Sequence, residues 1–239
     1  MKTGTFEGAF SKNTIYRFLN DAGINWQRFT MLLSAEIICR FMKPLTDEKR
    51  KDVFIVDDSL FDRSRSKKAE MLARVFDHCS MKYRSGFRML TLGWSDGNSF
   101  IPVSYSLLSA AEDKNLLCGG KRHDGRSLAG RRRLQSRRKA TDVMVELIHS
   151  AQRAGITAKF VLFDSWFSAP KTILELKKQE HLDTIAMMKK SKTKYRYQGE
   201  RLNVKEIYSR NKKRRGRSRY LLSVLVEIEK DGESIPAKL

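Results

Sequence analysis

The chain has 239 residues, 41% apolar and 31% charged, so it can close a sizeable core in one or two domains and is not an intrinsically disordered protein. No run of about 18 apolar residues occurs, and the start Met1-Lys2-Thr3-Gly4-Thr5-Phe6-Glu7 lacks a signal peptide's apolar stretch. Neither a membrane span nor secretion is expected; the net charge of +21 points instead to a polyanionic partner.

The first 45 residues read as helical. Ser11 can cap a short helix carrying Ile15, Phe18 and Leu19, and a second helix from Asn25 to Met42 sets Trp26, Phe29, Leu33, Ile37 and Phe41 on one stripe until Pro44 stops it. The pair could be a helix-turn-helix, but the segment is not notably basic, which favours a packing module. Val53-Phe54-Ile55-Val56 then reads as a strand covered on both faces and ending at Asp57-Asp58-Ser59. A helix is expected from Lys67 to Asp77. The strands Arg88–Trp94 and Phe100–Leu108 follow, joined as a hairpin by Ser95-Asp96-Gly97-Asn98-Ser99. A helix over Ala140–Ala154, stopped by Gly155, leads to a buried strand Phe160–Phe163 that ends at Asp164. A helix over Ala169–Glu180 and a strand over Thr184–Met188 complete the order β-β-β-α-β-α-β, that of a ribonuclease-H-like α/β fold with right-handed crossovers. The expected domains are a helical segment over 1–48, the catalytic core over 49–190 and a β-rich region over 191–239.

The charge is concentrated in two runs. Residues 119–139 hold nine basic residues and one acid, and residues 189–219 hold fourteen and two, so they carry +20 of the +21. Such density suits a phosphate backbone, where each neutralised phosphate releases counterions; the competing reading is a pair of solvated loops. The candidate DNA contacts are Lys121, Arg122, Arg131, Arg132, Arg133, Arg137, Arg138 and Lys139 in a basic loop, and Lys212, Lys213, Arg214, Arg215 and Arg217 in the second run. Cys39, Cys79 and Cys118 form no Cys-x-x-Cys pair, which fits a reduced, cytoplasmic protein, and neither His78-Cys79 nor Cys118-x-x-x-x-His123 has the partner a zinc site needs. Gly119-Gly120 opens no phosphate-cradling loop of the G-x-x-x-x-G-K-[ST] kind.

Asp57 and Asp164 each follow an apolar strand. In open α/β sheets ligands gather at the carboxyl ends of strands. If the first strand lies beside the fourth, both carboxylates reach a common ion, and a two-carboxylate site suits Mg²⁺ and phosphodiester chemistry. Taken singly, either Asp can be no more than a turn or cap residue. Asp58 competes for the first position, although alternation along the strand points it the opposite way from Asp57. Ser165 is expected to hold a turn and Trp166 to fill a core slot.

With these residues in view, the chain resembles the DDE transposases of bacterial insertion sequences, in the branch with a β-strand insertion in the catalytic domain. The resemblance rests on SKNTIYRFLN, VFIVDDSLFDR, ARVFDH, YRSGFRMLTLGWSDGNSFIPVSYSLLS and KATDVMVELIHSAQRAGITAKFVLFDSWFSAP. It implies that Asp57 and Asp164 bind Mg²⁺ or Mn²⁺ in a two-ion site. It also implies strand nicking and transfer on double-stranded DNA, with a homodimer on the DNA of a bacterial nucleoid. The family's third carboxylate lies in a Tyr-x-x-Arg-x-x-x-Glu-x-x-x-x-x-x-Lys signature that these 239 residues do not contain. Glu200 lacks the Arg and Lys partners of that signature and is expected in a hairpin turn, with Tyr195–Tyr197 and Tyr220–Glu229 as strands of the insertion. A truncated, inactive copy is the resulting expectation. A noncatalytic nucleic-acid-binding protein and a nuclease that cuts without joining are the alternatives on the same fold.

Overall fold

The long strand β1 (Val53–Asp62) organises the molecule, because it finds a different partner on each edge. The computed structural model describes residues 10–47, 49–188, 191–211 and 223–239. On one edge β1 runs antiparallel to β3 (Lys82–Ser95) along its full length, from Val53 opposite Ser95 to Asp62 opposite Gly86. On the other it runs parallel to β5 (Phe160–Phe163), which in turn pairs in parallel with β6 (Asp183–Ala186). Two strands share the outer edge of β3 end to end: β4 (Phe100–Leu108) along Arg88–Ser95, and β2 (Ala73–Asp77) along Lys82–Gly86. The result is a mixed sheet flanked by helices, the ribonuclease-H-like arrangement expected from the order of elements.

Alternation explains what the sheet buries. Phe54 and Val56 of β1 share a face with their cross-strand partners Trp94 and Leu92 of β3 and with Val161 and Phe163 of β5, and all six are buried. They form one apolar cluster with α4 (Ala140–Arg153), whose Val143, Met144, Leu147, Ile148 and Ala151 recur at helical spacing. The helix α5 (Pro170–Gln179) adds Ile173 and Leu176.

Upstream, Ser11 caps α1 (Lys12–Leu19) by accepting from the Thr14 N–H at 3.2 Å. The helix α2 (Trp26–Ile37) lies on β4: Ser34 Oγ donates to the Pro102 carbonyl and Gln27 Nε2 to the Tyr105 carbonyl, both at 2.6 Å. Beyond Ile37 the helix widens into a π-helical turn, Ile38–Met42, and tightens into a 3₁₀ turn containing Pro44, which has no N–H to continue an α-helix.

Three sequence expectations are corrected. Residues 73–77 form a strand, not the end of a helix, because buried Ala73 and Val75 flank exposed Arg74 with a period of two and β3 offers a free edge. The first strand does not stop at Asp57, since β3 carries it on to Asp62; what stops after Val56 is its parallel ladder with β5. The basic run 119–139 is not a loop throughout, because Leu128–Ser136 forms α3, capped by Ser127. Tight packing holds this helix. A Cβ on Gly130 would collide with the Asp124 carbonyl oxygen and stand 2.9 Å from Gly125 Cα. Glycine-to-alanine in a helix ordinarily gains about 1 kcal/mol. Here the collision is with backbone that cannot swing aside, so Gly130→Ala is expected to cost about 2 kcal/mol in urea unfolding.

A second, antiparallel sheet has the order β10-β9-β7-β8, with β7 (Lys194–Tyr197), β8 (Glu200–Asn203), β9 (Leu225–Lys230) and β10 (Glu233–Lys238). Tyr195, Tyr197, Leu202, Val226 and Ile228 are buried, joined by Ile207 of α6 (Val204–Arg210). The turn between β7 and β8 is Gln198-Gly199, both at positive φ. Glu200 therefore opens β8, and it pairs with Arg210 at 2.8 Å.

Candidate active site

The parallel register of β1 and β5 ends at Val56 opposite Phe163, so the next residues along the two strands are Asp57 and Asp164. Both are exposed at the carboxyl end of the parallel pair. Because Phe54 and Val56 point into the core, Asp57 projects from the other face of β1. The Asp164 side chain is fixed by the turn it opens: Oδ1 accepts the Trp166 N–H at 2.8 Å and its carbonyl accepts the Phe167 N–H at 3.3 Å. Phe167 is fully buried and anchors that turn, whereas Trp166 is 45% exposed, so the core slot expected for Trp166 belongs to its neighbour.

The two carboxylates feel each other. Asp57 is raised above the ordinary aspartate value, first by partial burial and then by the negative charge of Asp164. A divalent cation would relieve the repulsion that Asp164 exerts on Asp57, and carboxylate oxygen is the donor that Mg²⁺ and Mn²⁺ prefer, so the pair fits such an ion. Bound there, the ion would polarise a phosphodiester and activate the attacking oxygen. Among the described residues no group of three or more His, Cys, Asp or Glu side chains is placed to hold a metal.

Asp58 has a different occupation. It accepts from Nε and Nη2 of Arg88 on β3, a forked ion pair that sequence alone does not suggest, since only the register of β1 on β3 brings the two within reach. Arg88 also lies 5.4 Å from the centre of the Trp166 ring. Its burial disfavours the guanidinium charge and the nearby Asp164 supports it. Arg88 thus links Asp58 to the turn that carries Asp164.

The eight candidate DNA contacts of residues 119–139 divide into two groups. Arg133 makes a forked pair with Glu70, Arg132 donates to Asn25 Oδ1 at 2.8 Å, Arg137 donates to the Ala111 carbonyl and Asp113 at 2.6 Å, and Arg138 pairs with Glu146 at 2.5 Å. These four tie α3 to the rest of the fold. Lys121, Arg122, Arg131 and Lys139 are exposed. Lys212, Lys213, Arg214, Arg215 and Arg217 lie outside the described residues.

Glu70 was not a candidate in the sequence, yet it gathers the Arg133 fork and the Lys121 backbone N–H, and these hold its carboxyl at about 2 against an ordinary 4.5. A carboxyl lowered on folding stabilises the fold above its unfolded value and loses that contribution as the pH falls toward its folded value. The wild type should therefore lose stability between pH 4.5 and about 2 through this group. Discounted for a side chain 28% exposed, the loss is about 1 kcal/mol. Glu70→Gln should flatten that part of the curve in urea titrations at successive pH values.

No helix among the described residues is long and apolar enough to cross a membrane. No curated protein matches the chain. The family described as DDE superfamily endonuclease matches residues 4–232, nearly the entire sequence and both strands that bear the aspartates. The chain belongs to the DDE superfamily endonucleases, enzymes of transposase and nuclease type that act on DNA and generally use divalent metal ions.

Proposed function

We propose that this chain is a transposase of the insertion-sequence type, in which Asp57 and Asp164 hold Mg²⁺ or Mn²⁺ for strand nicking and strand transfer. The observation that supports the reading is the parallel register that ends at Val56 opposite Phe163, one residue before each aspartate. Double-stranded DNA is bound through exposed Lys121, Arg122, Arg131 and Lys139, and the sequence supplies further cations at Lys212, Lys213, Arg214, Arg215 and Arg217. Strand transfer needs two ends held together, so two copies act on one DNA complex in a bacterial cytoplasm. The Tyr-x-x-Arg-x-x-x-Glu signature that carries the family's third carboxylate is not within these 239 residues.

The test is a strand-transfer assay with Mn²⁺ and labelled element ends. The chain should take up Mn²⁺ at Asp57 and Asp164 and bind the labelled ends, and it should give at most trace joined product because its residues do not include the signature's Glu. Robust joining would overturn the incomplete site; the lack of any Mn²⁺ uptake that depends on Asp57 and Asp164 would overturn the transposase reading. A second reading, a noncatalytic nucleic-acid-binding protein, draws on the concentration of cations in residues 119–139 and 189–219. It predicts DNA binding with no Mn²⁺ uptake at Asp57 and Asp164.

A further inference from the structure

Beside the paired aspartates lies a cleft of about 490 Å³ bounded by Arg74, Phe76, His78, Arg88 and Trp166, with residues 108–112 as its opposite wall. That volume falls within the range of about 300–1,000 Å³ usual for ligand sites. We propose that this cleft is a stacking site for unpaired nucleobases of a DNA strand, and that Trp166 is its inner ring.

The backbone forces the indole outward. Asp164 fixes the Trp166 N–H and Phe167 is locked in the core, so Trp166, between them, faces the cleft with Arg88 over its ring. From there a row of rings leads away from the carboxylates. His78 is 5.6 Å from Trp166, Phe76 is 5.1 Å from His78, and Tyr83 is 5.3 Å from Phe76. Phe76 and Tyr83 are direct cross-strand partners on β2 and β3, which keeps the row in register with the sheet. The outer ring, Tyr83, is 71% exposed.

Aromatic faces interleaved with cations fit a single strand better than a protein partner. Every base offers a π-face to a ring, and Arg74 and Arg88 bound the same cleft, where the phosphates between stacked bases need cations. A duplex cannot use the row, because its bases are already stacked on one another. The site deepens the transposase reading and rests on it, since a metal-dependent cut between Asp57 and Asp164 would leave a strand end whose bases lie within reach of Trp166.

The test separates the two ideas by working first in EDTA. The full 239-residue chain is titrated with a blunt duplex and with the same duplex bearing a short single-stranded tail that carries 2-aminopurine. The tailed duplex should bind about tenfold tighter, and the 2-aminopurine fluorescence should be quenched on binding. Trp166→Ala should remove about tenfold of the tailed affinity while blunt binding stays the same, and Trp166→Phe should restore most of it. Tyr83→Ala, at a position that places no demand on the core, should weaken tail binding by a smaller factor and guards against a misfolded Trp166 variant. Equal affinity for tailed and blunt DNA, or quenching that both alanine variants leave unchanged, overturns the stacking site. Mn²⁺ uptake at Asp57 and Asp164 without any tail preference overturns only the stacking site; tail preference without Mn²⁺ uptake supports the stacking site and overturns only the metal-dependent chemistry.

Discussion

Asp164→Asn is expected to lower Mn²⁺ affinity at least tenfold in calorimetry. Asparagine keeps a side-chain oxygen where Oδ1 accepts the Trp166 N–H, so the turn after β5 survives and the loss is one of charge. Asp57→Asn should match it. Asp58→Asn should not, because Asp58 is already committed to Arg88 and removing its charge unbalances a half-buried guanidinium instead. Its effect belongs in urea stability, at about 1–3 kcal/mol. Equal Mn²⁺ losses for Asp57→Asn and Asp58→Asn would show that the first ligand had been misassigned. The pH dependence gives an independent check. Asp57 is raised partly by Asp164, so a metal competing with its proton should bind more tightly as the pH rises through that titration. In the Asp164→Asn variant the charge that raises Asp57 is gone, and the rise should move to lower pH. A pH profile that does not move would mean that the carboxyls are not coupled.

What could be read from the residues followed from local pattern. The run Phe160–Phe163 is a strand ending at Asp164 because four apolar residues between a helix stop and a turn leave little else to form, and the Asp96-Gly97 turn fixes the β3–β4 hairpin. The aspartate pair was legible as two strand-following acids, yet its geometry depended on register, which no local pattern contains: Asp57 sits inside β1, and only the end of pairing with β5 makes it a tip. Long-range partners account for the rest. α3 has a weak apolar stripe in a run of arginines, and its supports are Glu70 and Asn25, more than 60 residues away. The Arg88 fork on Asp58 and the outward indole of Trp166 likewise arise from neighbouring strands and from the buried ring of Phe167.

Trp94→Ala should be the most destabilising single change, about 4 kcal/mol in urea unfolding, a large share of the 5–15 kcal/mol typical of a folded domain. Trp94 is fully buried opposite Phe54 in the β1–β3 ladder, and its indole N–H donates to the Thr157 carbonyl at 3.2 Å, so truncation opens a cavity and strands an acceptor. Phe54→Ala should cost about 3–5 kcal/mol for the cavity alone. The double variant should fall short of the sum by about 1 kcal/mol, because the second truncation enlarges a space the first has already opened. The pair also bears on the aspartates. Sliding β1 by one residue would turn Asp57 toward the core and present Asp58 to the metal, and the large rings at Phe54 and Trp94 oppose that slip by filling one face only. Phe54→Ala, three residues before Asp57, should therefore weaken Mn²⁺ binding several-fold at temperatures where the protein is still folded. Trp94→Ala, on the strand whose ladder with β1 is otherwise intact, should do so less. Full Mn²⁺ affinity in both would mean that β3 alone fixes the register.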